Sequence, residues 1–153
     1  GLDWGFADDP FAYVQSHYDR KRGQLWIYNE LYLYGHSNQQ AFERVKELTC
    51  TRVIGDSSEP KSIQEGRNSG LNIAGAKKGQ GSVEHGIKFL QSLEVIIHPR
   101  CSNTLTEFKK YSYKEDKNGK VLPQPVDKYN HAIDALRYSL ENDSMGQYSS
   151  GIC

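Results

Sequence analysis

Apolar and polar positions along the first 34 residues fall into three short runs, GLDWG at 1–5, FAYVQSHY at 11–18 and QLWIYNELYLY at 24–34, separated by charged or glycine-containing breaks. Their aromatic and β-branched content predicts strands. The connections, such as Asp19 to Gly23, are tight, so the three should form an antiparallel meander. The period then lengthens. Ala41, Val45 and Leu48 recur at helical spacing behind Ser37 and Gln40, which have the S-x-x-Q form of a capping box, and a helix is predicted over 38–49.

Beyond residue 50 the rhythm becomes strand and helix in alternation. RVIGDSS at 52–58 reads as a short buried strand, followed by a helix with Pro60 in its first turn and Gly70 as its stop. LNIAGA at 71–76 is the next strand, Ser82 should cap a helix carrying Val83, Ile87 and Leu90, and LEVIIHP at 93–99 is a strand halted by Pro99. Leu105 and Phe108 mark a short helix. Asn118-Gly119 signals a hairpin within 111–126, and Pro123 and Pro125 confine its second arm to an edge or exclude it from a sheet. Asn130 should cap a last helix through about Glu141, with Ile133, Leu136 and Leu140 on its apolar face. The expected fold class is α/β: a mixed central sheet, begun by the meander and extended by strand-helix units, with flanking helices and a hairpin before the last helix. One domain is expected over 1–142, followed by a loose tail at 143–153.

Composition narrows the function. The chain has 153 residues, 19 Lys+Arg against 19 Asp+Glu, and a mean hydropathy of −0.73. No apolar run reaches membrane-spanning length, so no membrane is expected among its partners. A formal charge of zero excludes binding by bulk positive charge but leaves the distribution of charge open. Three scattered cysteines, Cys50, Cys101 and Cys153, are too few for a disulfide framework, and a reducing compartment is the simpler reading. His98 and Cys101 have metal-like spacing without the second ligand pair that zinc requires. The N-terminus carries no signal-peptide pattern and starts directly on a core-like strand, as expected of a domain cut from a longer protein.

Three carboxylates occupy unusual places. Asp3 lies between Leu2 and Trp4 in the first strand, Asp56 ends another strand, and Asp134 sits in the last helix. Singly, Asp56 suits an Asx-turn or helix cap and Asp134 a solvated helix charge. Asp3 fits neither: an acid between residues that favour burial either lies near a strand end facing a partner or carries a desolvation penalty. Together the three have the oxygen donors that magnesium or manganese prefers. A bound cation would also keep converging acids ionised. His131, three residues before Asp134, falls on the same side of the helix.

The strings GLDWGFADDP at 1–10, VIGDSSEPKSI at 53–63, AKKGQGSVEHGI at 76–87 and NHAIDALRY at 130–138 resemble, in order and spacing, the C-terminal nuclease domain of tailed-phage terminase large subunits. This resemblance implies a ribonuclease H-like fold whose carboxylates bind two Mg2+ or Mn2+ ions and cut DNA. Carried over by position, Asp3 matches the acid of the first strand, Asp56 that of the fourth and Asp134 that of the last helix. Asp9 matches an additional acid near the metals in some members, and His131 a histidine beside the last acid. Asp8 has no assigned role. Two ions about 3.5–4 Å apart would clamp the scissile phosphate for in-line displacement, with no side-chain nucleophile. The resemblance further implies double-stranded concatemeric viral DNA as substrate, cut to begin and end packaging in the cytoplasm of the infected bacterium. An upstream packaging ATPase, the portal protein and the terminase small subunit would be partners of the full-length protein.

Lys77 and Lys78, before Gly79 and Gly81, could approach the phosphate backbone, as could Lys61 and Arg67; solvated charges are the alternative. GAKKGQGS lacks the P-loop order, so the ATPase is not encoded in these residues. The aromatic strands over 11–34 read as core rather than as a base-stacking surface. Two other functions compete: a different ribonuclease H-like nuclease such as a junction resolvase, disfavoured by the glycine-lysine stretch, and a non-catalytic portal or motor docking module, disfavoured by Asp3, Asp56 and Asp134. The hairpin, with Lys114, Lys117 and Lys120, leads directly into the acid-bearing helix and is expected to flank a DNA groove. Deleting residues 115–120 should therefore weaken DNA binding or alter cleavage; unchanged values in both assays would remove the hairpin from the groove.

Overall fold

A computed structural model describes residues 1–49 and 51–146. Cys50 and Cys153 lie outside the described residues, while Cys101 is buried and free. The meander is present as β1 (Leu2–Asp3), β2 (Phe11–Asp19) and β3 (Gln24–Leu33). Helix α1 (Asn38–Leu48) begins at Ser37 with both halves of the capping box formed. The alternating part supplies β4 (Val53–Gly55), α2 (Pro60–Asn68), β5 (Ile73–Gly75), α3 (Ser82–Gln91), β6 (Glu94–Ile97) and α4 (Ser102–Lys110). The hairpin strands β7 (Tyr113–Glu115) and β8 (Val121–Pro125) precede α5 (His131–Ser139) and α6 (Glu141–Ser144).

Six strands form one sheet in the order β5-β4-β1-β2-β3-β6. β1, β2 and β3 pair antiparallel, whereas β4 joins β1, β5 joins β4 and β6 joins β3 in parallel. This is the expected mixed sheet. Its strand order was not readable from the sequence, because β6 crosses to the far edge beside β3 instead of extending the β4-β5 side. Among the described residues β7 and β8 pair only with each other, so both prolines sit in an edge strand. The hairpin turn is wider than a two-residue Asn-Gly turn: the Asp116 carboxylate accepts the amides of Asn118 and Lys120, and Gly119 takes φ +79°.

Each sheet face carries a core. On one, Trp4, Phe11 and Phe42 meet edge to face with centroids 6.0–6.4 Å apart, joined by Val45, Ile63 and Ile73. The other gathers Val14, Leu25, Ile27, Leu90, Ile133, Leu136 and Leu140. The aromatic strands are core only in part: Phe11 and Tyr13 are buried, but Trp26, Tyr28 and Tyr34 are exposed, since strand side chains alternate between faces and the sheet is not covered everywhere.

Three expectations at helix ends are corrected. Gly81, at φ +76°, occupies the N-cap of α3 and Ser82 is its first helical residue. Asn130 occupies the N-cap of α5, but its side chain donates to Asp127 and caps nothing. α5 stops at Ser139 and the chain bends at Leu140, so Glu141 starts α6. Asp143, assigned to the tail by sequence, lies in α6 and forms an ion pair with Arg20, and His85 Nε2 meets the Ser144 carbonyl at 2.9 Å. Residues 147–153 lie outside the described residues.

The apolar face expected for α5 was too narrow. Ala132, Ala135 and Tyr138 are buried beside Ile133 and Leu136, because α5 packs on β1, β2 and β4 and is covered from α3 and α4 as well. Small residues set the spacing. A Cβ at Gly1 would fall 1.7 Å from the Ala135 carbonyl oxygen, so glycine is what lets the start of β1 lie against the α5 backbone. Among the described residues no helix is long and apolar enough to cross a membrane.

Candidate active site

β1 and β4 run parallel with Leu2 opposite Gly55, and the Asp56 amide donates to the Leu2 carbonyl at 3.0 Å. Asp3 and Asp56 are therefore the next residues on adjacent strands, at their C-terminal ends. The Trp4 indole donates to the Asp56 carbonyl at 2.7 Å and ties the two strand ends to the aromatic core. α5 lies across β1 and β4 and brings Asp134 to the same place. Three acids, the outer two 131 residues apart in the chain, thus converge electrostatically: Asp134 and Asp56 each act to raise Asp3, and Asp56 acts to raise Asp134.

Each acid meets its own basic side chain. His131 Nδ1 lies 3.2 Å from Asp3 Oδ2, and its Nε2 lies 3.5 Å from Asp9 Oδ1. The Arg137 Nε and Nη2 both donate to Asp134 Oδ1, at 3.0 and 2.7 Å. Lys78 pairs with Asp56, which also accepts the amide and hydroxyl of Ser58. Burial pushes the carboxyls of Asp3 and Asp134 above the usual range against the pull of these cations. At Asp56 burial acts the same way, but Lys78 and Ser58 together outweigh it and the net shift is downward. The Asp3 hydrogen bond holds His131 above its ordinary pKa in spite of desolvation.

Among the described residues no three His, Cys, Asp or Glu side chains form a ready-made metal cage. The acids are turned onto Lys78, Arg137 and His131 instead. Their donor set still fits a hard divalent cation, because it is all carboxylate and sits where charge must be neutralised. Among the described residues Asp3 and Asp134 are each hydrogen-bonded through only one carboxylate oxygen. Among the described residues the two non-glycine residues with positive φ, Ala7 at 53° and Tyr129 at 57°, lie one in the loop that presents Asp9 and one just before α5.

Of the expected phosphate contacts, the Lys78 and Arg67 side chains have partners within the protein. Lys78 is the Asp56 partner, and the Lys77 amide donates to Glu141 at 2.6 Å. Arg67 Nε donates to the Ile73 carbonyl at 3.0 Å, tying α2 to β5, while Lys61 is exposed in the first turn of α2. The sequence reading missed Arg137, whose i,i+3 relation to Asp134 was visible, and Glu107, for which no local signal exists. Glu107 is 1% exposed on α4 and accepts hydrogen bonds at the start of α5.

Residues 3–142 match the family described as "Terminase RNAseH like domain". The chain belongs to that family. It is 42% identical over 149 residues to the terminase large subunit of Bacillus phage SPP1, covering 94% of this chain and 35% of that protein. The PBSX phage terminase large subunit of Bacillus subtilis is 30% identical over 145 residues, covering 93% of this chain and 34% of that one. The chain thus spans about a third of the length of these relatives. The SPP1 large terminase nuclease domain, solved with bound Mn, superposes with a TM-score of 0.87 at 42% identity, covering 94% of this chain and 84% of that one. The P22 large terminase nuclease domain, at 21% identity and TM-score 0.72, covers 96% of this chain and 79% of its own, and attests the fold.

The Arg137 stem lies against α3, where a Cβ on Gly86 would fall 2.9 Å from Arg137 Cδ and 3.1 Å from Cγ. Gly86→Ala should displace this buried stem from its carboxylate, lowering stability by about 1–3 kcal/mol. Denaturant unfolding measures this; an unchanged midpoint would mean that the stem has room to move.

Proposed function

We propose that this chain is the nuclease domain of a phage terminase large subunit, a divalent-metal-dependent endodeoxyribonuclease that cuts concatemeric viral double-stranded DNA to start and end packaging. The single observation that carries this reading is the convergence of Asp3, Asp56 and Asp134 at the ends of β1 and β4 beneath α5. Its support from relatives is the bound Mn of the SPP1 nuclease domain. Work in the cytoplasm of the infected host, alongside an upstream ATPase, the portal protein and the small subunit, belongs to the full-length protein in this proposal.

Mg2+ or Mn2+ ions, two in this reading, would supply Lewis-acid activation and charge neutralisation at the scissile phosphate. Asp3, Asp56 and Asp134 would hold them, with Asp9 at the rim. Arg137, converging on one oxygen of Asp134, keeps that carboxylate oriented with its second oxygen available. His131 does the same for Asp3 and can carry a proton between Asp3 and the more exposed Asp9. Lys78 completes the set: with Asp56 holding a metal ion, its ammonium, a point charge on a flexible stem, would be available to a DNA phosphate. Lys77, Lys61 and Arg67 would add backbone contacts, and the β7-β8 hairpin would flank the groove.

Supercoiled plasmid incubated with Mn2+ or Mg2+ should be nicked by the wild-type protein and at least about a hundredfold more slowly by Asp56→Ala. Equal nicking by both, or none by either over a range of metal concentrations, would overturn the catalytic assignment.

Metal uptake should also depend on pH in a defined direction. Asp3 and Asp134 have raised folded-state pKa values, so between the ordinary carboxylate range and those values the folded protein binds more protons than the unfolded chain, and stability falls as pH rises. His131, also raised, adds stability below its unfolded pKa that is lost as pH rises through its folded value. Asp56, lowered, contributes above its unfolded pKa and is lost only as pH falls through its folded value, at the acid end. A cation requires the deprotonated acids. Mn2+ at a hundredfold excess over Kd should stabilise the protein by about 2.7 kcal/mol near neutral pH and progressively less as pH falls through the raised range of Asp3 and Asp134. Thermal unfolding with Mn2+ and with EDTA measures it, and a shift independent of pH would count against the raised acids as ligands.

A further inference from the structure

Helix α5 begins without a cap of its own, yet its first amides are buried against α4. The Ala132 and Ile133 amides donate to Oε2 of Glu107 at 2.7 and 3.0 Å, and the Tyr32 hydroxyl donates to Oε1 at 2.7 Å. The helix that carries Glu107 is held in the same way. Cys101, at the N-cap of α4, supplies no side-chain bond, and the Asn103 and Thr104 amides donate to Glu30 at 3.0 and 2.8 Å, joined by the Thr104 hydroxyl at 2.7 Å. Two carboxylates therefore link β3 to α4 and α4 to α5, each set at a helix N-terminus where the dipole favours negative charge.

A buried carboxylate is a costly way to cap a helix, and burial pushes the Glu107 carboxyl upward. A serine or aspartate at position 130 would satisfy the same amides locally. What a local cap cannot do is fix the helix relative to another element. The two amides Glu107 binds lie between His131 and Asp134, and the Tyr32 ring that completes its hydrogen bonds packs edge to face on His131 at 6.4 Å. We infer that Glu107 is a positioning residue: by gripping the first turn of α5 from α4, it sets the depth and rotation at which His131 and Asp134 face Asp3 and Asp56. The inference rests on the reading of those acids as metal ligands. Sites of this kind tolerate displacements of only about 0.5 Å, and loss of outer partners typically weakens metal binding about 10–100-fold.

The test is Mn2+ affinity without DNA, read by the EPR signal of free Mn2+ at one pH. Glu107→Ala should bind Mn2+ at least about tenfold more weakly. Glu107→Gln keeps an acceptor oxygen for both amides and turns its NH2 toward the Tyr32 hydroxyl, so it should stay within about threefold of wild type. Val45→Ala, in the core on the opposite sheet face, should lose stability with unchanged Mn2+ affinity. If Glu107→Ala does not fold, Glu107→Asp takes its place: one methylene shorter, it cannot reach both amides without drawing α5 inward, and weaker Mn2+ binding is expected. Wild-type affinity in the folded Ala or Asp variant, a Gln variant as weak as Ala, or equal weakening by Val45→Ala would each overturn the inference and leave the metal reading standing. A wild-type protein that takes up no Mn2+ would overturn the metal reading itself.

Discussion

The contact between β1 and α5 is the constraint on which the rest of the structure depends. Two segments from opposite ends of the described chain approach at backbone distance, possible because Gly1 has no side chain to meet the Ala135 backbone. With that approach fixed, β1 gains β4 on one side and β2 on the other, and both cores form on either side of a sheet whose centre is β1. The same contact brings Asp134 over Asp3. Packing and chemistry share one interface, so the burial that stabilises the fold also desolvates the acids.

Desolvation explains the electrostatic pattern. Three acids removed from water near one another cannot all remain ionised without positive charge nearby. His131, Arg137 and Lys78 each answer one of them, and each differently. Arg137 is buried and forked, suited to a permanent orienting role. His131 is held above its ordinary pKa by its hydrogen bond to Asp3, and Lys78 is part-exposed on the loop that carries Gly79 and Gly81. A net charge of zero is thus compatible with action on DNA: acidic centre and basic surroundings cancel in the sum.

Much of the fold was legible in the sequence. Strand and helix periods, the Ser37 capping box and the alternation after residue 50 are local features, and local features survive reading one residue at a time. Helix termini were less legible. Gly81 and Asn130 illustrate why: the residue beside a helix start supplies the cap only if no distant group does, and at α5 the distant carboxylate of Glu107 does. The apolar face of α5 was underestimated for a related reason, since periodicity shows a helix with one covered side and α5 is covered on several.

By itself the sequence determined the kinds of element, their order, the class of the sheet and the identity of three unusually placed acids, because these follow from side-chain periodicity and from acids in apolar surroundings. Only the tertiary structure decided that β6 joins β3, that Lys78 and Arg137 face acids, and that Glu30 and Glu107 link β3, α4 and α5. Those outcomes depend on which surfaces meet once the chain has folded. Glu107 stands 25 residues from the amide it holds most closely, and no pattern in the intervening sequence encodes that distance.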